Sequence, residues 1–227
     1  MLPIWDWTLA LLLPAFALTL YAQFKVSSTF KRYSQVRSGR GLTGAEGARR
    51  LLDEGGLGHV SIELSQGKLS DHYDPRSKVL RLSPDVAHKD SLAALGVAAH
   101  EVGHALQDAQ GYAPMRVRST LVPVASLGSN LGIGLFVVGL FIGGNPVLMN
   151  LGIVLFAAAV LFTLVTLPVE FDASRRALDL LSARGILVSG EVDGARKVLR
   201  AAGLTYVAAA LMAIVQLARL VLISRNR

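Results

Sequence analysis

The sequence of 227 residues contains no cysteine, and this absence excludes several kinds of site. Disulfide bonds, thiolate metal ligands and a cysteine nucleophile are all ruled out. Charged residues are also scarce, at 17% of the chain, against about 25% in an ordinary soluble domain. Hydrophobic residues make up 52%, and the mean hydropathy is +0.47. This composition disfavours both a purely soluble globular protein and a disordered chain.

The apolar residues are concentrated in four blocks, each close to the ~20 residues that span a bilayer as a helix. The blocks cover residues 3–24, 121–143, 146–169 and 203–223. We therefore predict a mainly α-helical integral membrane protein with about four transmembrane helices. The alternative, buried helices of a soluble protein, is disfavoured by their number and length. No basic residue precedes Lys25, which favours a retained anchor over a cleaved signal peptide.

The second and third blocks are separated by Gly144-Asn145, which predicts a tight helical hairpin. Four glycines in the second block have the small-xxx-small spacing that permits close helix packing. They are the pairs Gly128/Gly132 and Gly139/Gly143.

Two polar segments, 25–120 and 170–202, lie between the blocks, and the hairpin places both on one side of the membrane. They hold 14 and 6 of the 23 Lys and Arg residues. Positive-inside reasoning makes that side cytoplasmic at the cell membrane, with both termini outside. A basic C-terminal tail leaves open a fourth block that does not span. We attribute the basic excess to this topology and to anionic lipid, since no nucleic-acid-binding signature accompanies it.

The pattern that carries chemistry is the run His100-Glu101-Val102-Gly103-His104. Residues four apart share one face of a helix, so both imidazoles can bind one zinc ion. Glu101 is turned about 100° away, where it can reach a water on that metal. Two histidines and one carboxylate form a known catalytic zinc set with a position open for water. The alternative is two surface histidines on an exposed helix, which their apolar neighbours disfavour.

The residues around this run predict its helix. Asp90 or Ser91 is the expected N-cap, and Gly111 lies beyond the expected end. The segment 44–52 predicts a second, amphipathic helix that packs against the first or lies on the membrane. Residues 79–82 predict a strand after a turn at 74–76, and residues 59–64 a partner strand.

A third metal ligand must come from elsewhere, and the candidates are His59, His72, His88 and the carboxylates. Glu170 stands out because it follows the third apolar block, on the same side of the membrane as the histidine helix. We expect it to begin a helix that Gly185 closes. An acid at a helix N-terminus is also favoured by the macrodipole, so the residues alone leave both interpretations open.

Three runs of residues together are typical of one family. They are HEVGHALQ from His100, DHYDP from Asp71 and EFDASRRA from Glu170. In this combination the sequence resembles the YugP-type membrane zinc metallopeptidases, a neutral zinc metallopeptidase family. Their layout is similar to that of HtpX and the CAAX prenyl proteases, which are gluzincins. The resemblance covers most of the chain.

The resemblance implies that His100, His104 and Glu170 bind one zinc ion per chain, with Glu101 as the general base. It implies an endopeptidase with a small α+β zincin-like part at the cytoplasmic membrane surface. A zinc-activated water would hydrolyse peptide bonds in membrane or membrane-proximal proteins. The alternative is a non-catalytic zinc-binding scaffold or regulator, in which Glu101 would have no purpose. A transporter is a third interpretation, which the shortage of intramembrane charge disfavours.

Further expectations follow from the same resemblance. The strand before the zinc helix would be the sheet edge that holds substrate. His72 and Tyr73 would lie near the zinc and could donate hydrogen bonds to the oxyanion, although His72 could instead only organise a turn. Ser174 stands where the HtpX-like pattern has an aspartate that supports a ligand histidine. We expect Ser174 to bond a histidine or Glu170 more weakly.

Overall fold

The computed structural model describes residues 7–67 and 70–225 and is helical over most of that length. Residues 3–6 of the expected first span lie outside the described residues. A short 3₁₀ turn, Trp7–Leu11, leads into the first helix. The elements in chain order are α1 (Leu12–Tyr33), α2 (Gly44–Glu54), β1 (Ser61–Leu64), β2 (His72–Asp74), β3 (Val79–Leu82), α3 (Pro84–Ala87), α4 (Leu92–Ala109), α5 (Ala113–Phe141), α6 (Pro146–Ala183) and α7 (Ser189–Arg225).

Four helical stretches are long and apolar enough to cross a membrane. They are Trp7–Tyr33, Ala113–Phe141, Pro146–Ala183 and Ser189–Arg225. Large apolar side chains are exposed along all four, which suits a lipid environment better than water. The prediction of a mainly helical protein with four candidate membrane spans is confirmed.

Two of these helices run well past the apolar blocks. Helix α6 contains Pro168 and continues unbroken to Ala183, so the expectation that Glu170 begins a helix was wrong. A proline removes one backbone donor, but long apolar helices tolerate it where neighbouring groups satisfy the freed carbonyl. Because Glu170 lies inside the helix and not at its N-terminus, the helix macrodipole does not explain an acid at this position. Gly185 follows the helix end with φ of 59°, as predicted.

The chain divides into two compact units. The first comprises the chain up to Gln23, Pro114–Pro168 and the chain from Thr205 onward. The second comprises Phe24–Ala113 and Val169–Leu204.

The first unit contains the predicted helical hairpin of α5 and α6. Gly143 and Gly144 have φ of 68° and 76°, the left-handed conformation that glycine adopts without strain. The side chain of Asn145 then caps α6 by accepting hydrogen bonds from the backbone N–H groups of Val147 and Leu148, at 3.0 and 3.2 Å. The tight turn at Gly144-Asn145 is confirmed.

Glycines bring α5 and α6 into close contact. A β-carbon at Gly128 would lie 2.4 Å from the Leu155 carbonyl oxygen, and one at Gly132 would lie 2.9 Å from that of Gly152. Close packing at these positions is confirmed. Gly143 is different, since a β-carbon placed there would have no atom within 4 Å, and its φ serves the turn. The apolar core of this unit contains Phe136, Met149, Phe156, Val160 and Leu220.

The second unit contains a three-stranded sheet in the order β1-β3-β2. β1 pairs with β3 in parallel, and β2 pairs with β3 antiparallel. The strands predicted at 79–82 and within 59–64 are confirmed, while β2 is an additional strand beside the expected turn. Because β3 is the central strand, the expectation that the strand before the histidine helix is a sheet edge was wrong.

Helix α4 begins and ends as its residues predict. The Ser91 hydroxyl accepts the Ala94 N–H, which makes Ser91 the N-cap. Gly111 follows the helix with φ of 63°. A β-carbon at Gly47 of α2 would lie 2.6 Å from the Leu95 side chain, so the predicted packing of α2 against α4 is confirmed.

Candidate metal centre

Three side chains of the second unit converge on one point. His100 and His104 extend from α4, and Glu170 extends from α6. The Nε2 atoms of His100 and His104 lie 3.2 and 3.5 Å from Oε2 of Glu170. One potential ligand atom from each residue lies within 4.8 Å of the others.

Helix α4 can approach α6 because one of its positions has no side chain. A β-carbon at Gly103 would lie 2.6 Å from the carbonyl oxygen of Ala173. This close approach puts Glu170, about one helical turn before Ala173, opposite the two histidines. The helical repeat places His100 and His104 on one face of α4. The close contact at Gly103 then brings Glu170 of α6 next to them.

The donor set fits a zinc ion. Two ligands bound tetrahedrally at about 2.0–2.1 Å are separated by about 3.3 Å, close to the two nitrogen–oxygen distances above. The Glu170 side chain is only 2% exposed, and a buried carboxylate needs a positive partner. Two imidazoles and one carboxylate, all largely buried, offer the nitrogen and oxygen ligands that zinc accepts.

Each histidine is also held through its other ring nitrogen. Nδ1 of His100 lies 3.1 Å from the Ser174 hydroxyl, and Nδ1 of His104 lies 3.0 Å from Oε1 of Gln107. The Nε2 atoms are thereby turned toward Glu170. Sequence reasoning missed Gln107, although its position three residues after His104 puts both on one helix face.

Glu101 is buried, at 7% exposure, on the helix that carries both histidines. Its Oε2 accepts the backbone N–H of Tyr73 at 2.9 Å. The Tyr73 hydroxyl donates to Asp108 at 2.8 Å, and Lys78 pairs with the same carboxylate. Burial and the Asp108 carboxylate raise the pKa of Tyr73, so its hydroxyl stays protonated. Two hydrogen bonds of Tyr73, one from its backbone N–H and one from its hydroxyl, therefore connect strand β2 to α4.

Comparison with known proteins identifies the family. A family model described as "Putative neutral zinc metallopeptidase" matches residues 8–225. The chain belongs to this family. The chain is also 47% identical over 216 residues to "Putative membrane protease YugP" of Bacillus subtilis (strain 168), covering 95% of this chain and 96% of that protein. No solved structure matches. The resemblance inferred from the three sequence motifs is confirmed.

Among the described residues, the other histidines singled out in the sequence are not members of the group formed by His100, His104 and Glu170. Within residues 7–67 and 70–225, the histidines that join it are His100 and His104. His59 and His88 are exposed. His72 is exposed on β2, and its Nδ1 lies 2.8 Å from the Ser70 carbonyl oxygen. Asp74 accepts bonds from Ser77 and from the Arg76 N–H, which lower its pKa to about 2 and organise the turn after β2.

Proposed function

We propose that this protein is a membrane-embedded, zinc-dependent endopeptidase of the gluzincin type. The observation that carries the proposal is the convergence of His100, His104 and Glu170, with the buried carboxylate of Glu101 on the same helix as the histidines. Membership of a family described as zinc metallopeptidases supports it, as does a relative described as a membrane protease.

In this proposal His100, His104 and Glu170 hold one zinc ion per chain. When bound, the ion supplies Lewis acidity, which acidifies a water molecule and polarises the peptide carbonyl. Glu101 would accept a proton from the attacking water and pass it to the leaving amine. The Tyr73 N–H holds one oxygen of Glu101 in place for this transfer. No covalent intermediate with the protein is needed.

The predicted role of His72 and Tyr73 in stabilising the oxyanion is part of the proposal. The Tyr73 hydroxyl is engaged by Asp108, so His72 is the better candidate for a side-chain donor. Its Nδ1 faces the Ser70 carbonyl oxygen, which leaves Nε2 as the nitrogen to present to a substrate.

We further propose that the zincin-like part lies at the cytoplasmic surface of the cell membrane. Glu170 follows the apolar block 146–169 directly, within the single helix α6. The substrates expected at such a position are membrane proteins or peptides presented near the bilayer. The clustering of basic residues in 25–120 and 170–202 supports the cytoplasmic orientation.

The test compares purified wild-type protein with Glu101→Gln, using fluorescently labelled casein as substrate and elemental mass spectrometry for bound zinc. Glu63→Gln, at an exposed acid of β1, is the matched control. We expect wild type and control to cleave casein, a chelator to stop cleavage, and Glu101→Gln to keep zinc without turnover. A wild-type protein that binds zinc and cleaves no peptide substrate would favour the scaffold alternative.

A further inference from the structure

Gln107 is a fully buried amide beside one of the proposed zinc ligands. Its residue exposure is 0%, and its side chain makes three hydrogen bonds. Oε1 lies 3.0 Å from Nδ1 of His104, and Nε2 lies 2.8 Å from the Val169 carbonyl oxygen and 2.9 Å from Oδ2 of Asp172. No hydrogen of this amide group is left without an acceptor.

The two partners on the far side fix which way the amide faces. A backbone carbonyl only accepts hydrogen bonds, and so does an ionised carboxylate. Arg175 and Arg176 both pair with Asp172, and the Val169 carbonyl by itself already requires a donor opposite it. A reversed amide would put an oxygen against both acceptors, so the NH₂ group must face them. Oε1 of Gln107 is therefore the atom presented to His104.

This orientation selects one tautomer of His104. An amide oxygen only accepts, so the ring must carry its proton on Nδ1. The lone pair then lies on Nε2, which faces Glu170 at 3.5 Å. The Ser174 hydroxyl next to His100 can both donate and accept, and so it leaves the tautomer of that histidine unselected.

We propose that Gln107, oriented by Asp172 and the Val169 carbonyl, is a positioning residue that fixes His104 in its metal-binding tautomer. The inference rests on the proposed zinc site. In this arrangement Asp172 supports His104 indirectly, through the Gln107 amide. Outer partners of this kind typically change metal affinity about 10–100-fold when removed.

The experiment measures zinc affinity of the full-length, detergent-solubilised protein by competition with a chromophoric chelator. The variant is Gln107→Met, which keeps the side-chain length and removes all three hydrogen bonds. The matched control is Gln110→Met, three residues further along, where the amide bonds Arg176 and touches no proposed ligand. We expect the dissociation constant to rise about 10–100-fold in Gln107→Met and to change little in the control.

A second measurement reports the tautomer without any metal. Nitrogen NMR of ¹⁵N-histidine-labelled, zinc-free protein is recorded at a pH where imidazole is neutral, with His104 assigned by its absence in His104→Ala. The protein carries Glu170→Ala, which removes the carboxylate that faces Nε2. We expect protonated Nδ1 when Gln107 is present and a mixture of tautomers when Gln107→Met is added. Should Gln107→Met not fold, Asp172→Leu removes one of the two orienting acceptors and is expected to weaken zinc binding less, in the same direction.

The outcomes separate this inference from the zinc site itself. The inference alone would be overturned if wild type and Gln107→Met bind zinc equally well and have the same His104 tautomer. Wild-type protein that binds no zinc would overturn both the proposed function and the inference.

Discussion

His100 and Ser174 are 74 residues apart in the chain, yet Nδ1 of the histidine lies 3.1 Å from the serine hydroxyl. This contact occupies the position where the HtpX-like pattern has an aspartate. A hydroxyl supports a ligand histidine more weakly than a carboxylate, because it brings no charge to the ring N–H. Nδ1 of the other histidine, His104, faces the amide oxygen of Gln107, so the ring nitrogens of both histidines have uncharged partners.

Ser174 substitutions should shift zinc affinity in both directions. We expect Ser174→Ala to weaken zinc binding about tenfold, because Nδ1 of His100 loses its partner. Ser174→Asp should strengthen binding, because a carboxylate then faces the ring N–H. Chelator competition measures both, with Ser182→Ala, an exposed serine of the same helix, as the control. Equal affinity in all variants would show that this contact does not support the metal.

Gly103→Ala should disrupt the metal centre without touching a ligand. The new methyl group would lie 2.6 Å from the Ala173 carbonyl oxygen, so α4 and α6 must separate. Such overpacking costs about 1–3 kcal/mol and would move Glu170 away from the histidines. We expect a lower melting temperature and loss of bound zinc.

Gly134→Ala is the control for this substitution. It is also a helical glycine, but apart from the adjacent backbone of its own helix nothing lies within 4 Å of its β-carbon position, so alanine should be neutral or slightly stabilising. Full zinc content in Gly103→Ala would contradict the assigned helix contact.

Tyr73→Phe should affect stability more than catalysis. The hydroxyl bonds Asp108, whereas the contact with Glu101 is made by the backbone N–H and survives the substitution. We expect the free energy of unfolding to fall by about 1 kcal/mol, with zinc content and cleavage rate nearly unchanged. Tyr21→Phe, at an exposed tyrosine of α1, is the control. Unchanged stability with a hundredfold slower cleavage would mean that the hydroxyl acts on the substrate.

The absence of cysteine makes the membrane orientation directly measurable. Single cysteines at Ile142, Ser189 and Ser224 can be labelled with a membrane-impermeant maleimide, without background from the rest of the chain. We expect labelling of 142 and 224 in intact cells, and of 189 only after permeabilisation. Labelling of 189 from outside would reverse the proposed orientation, and protection of 224 would mean that the fourth block does not span.

Local features of this protein could be predicted from its sequence because they depend on neighbouring residues. The i,i+4 spacing places His100 and His104 together on any helix. Ser91 marks the start of helix α4, because its hydroxyl can accept a backbone N–H that has no partner within the helix. The Gly144-Asn145 turn follows in the same way from glycine's access to positive φ and from asparagine's capping.

Features that depend on how α4 meets α6 could not be predicted in this way. Helix α6 continues through Pro168, although proline more often ends a helix. The bond between Gln107 and Asp172 spans 65 residues and requires the register of two helices. Three-residue strand β2 is defined by pairing with β3 and by the contact of Tyr73 with α4, because three residues are too few for a periodic pattern.

The zinc content of the purified, detergent-solubilised protein, measured by elemental mass spectrometry, tests the central claim most directly. We predict about one zinc ion per chain in wild type, with loss of the metal in Glu170→Gln and retention in Glu63→Gln. A wild-type protein that is isolated without zinc and does not take it up from solution would contradict the account, and His100 and His104 would then be two histidines of a membrane scaffold.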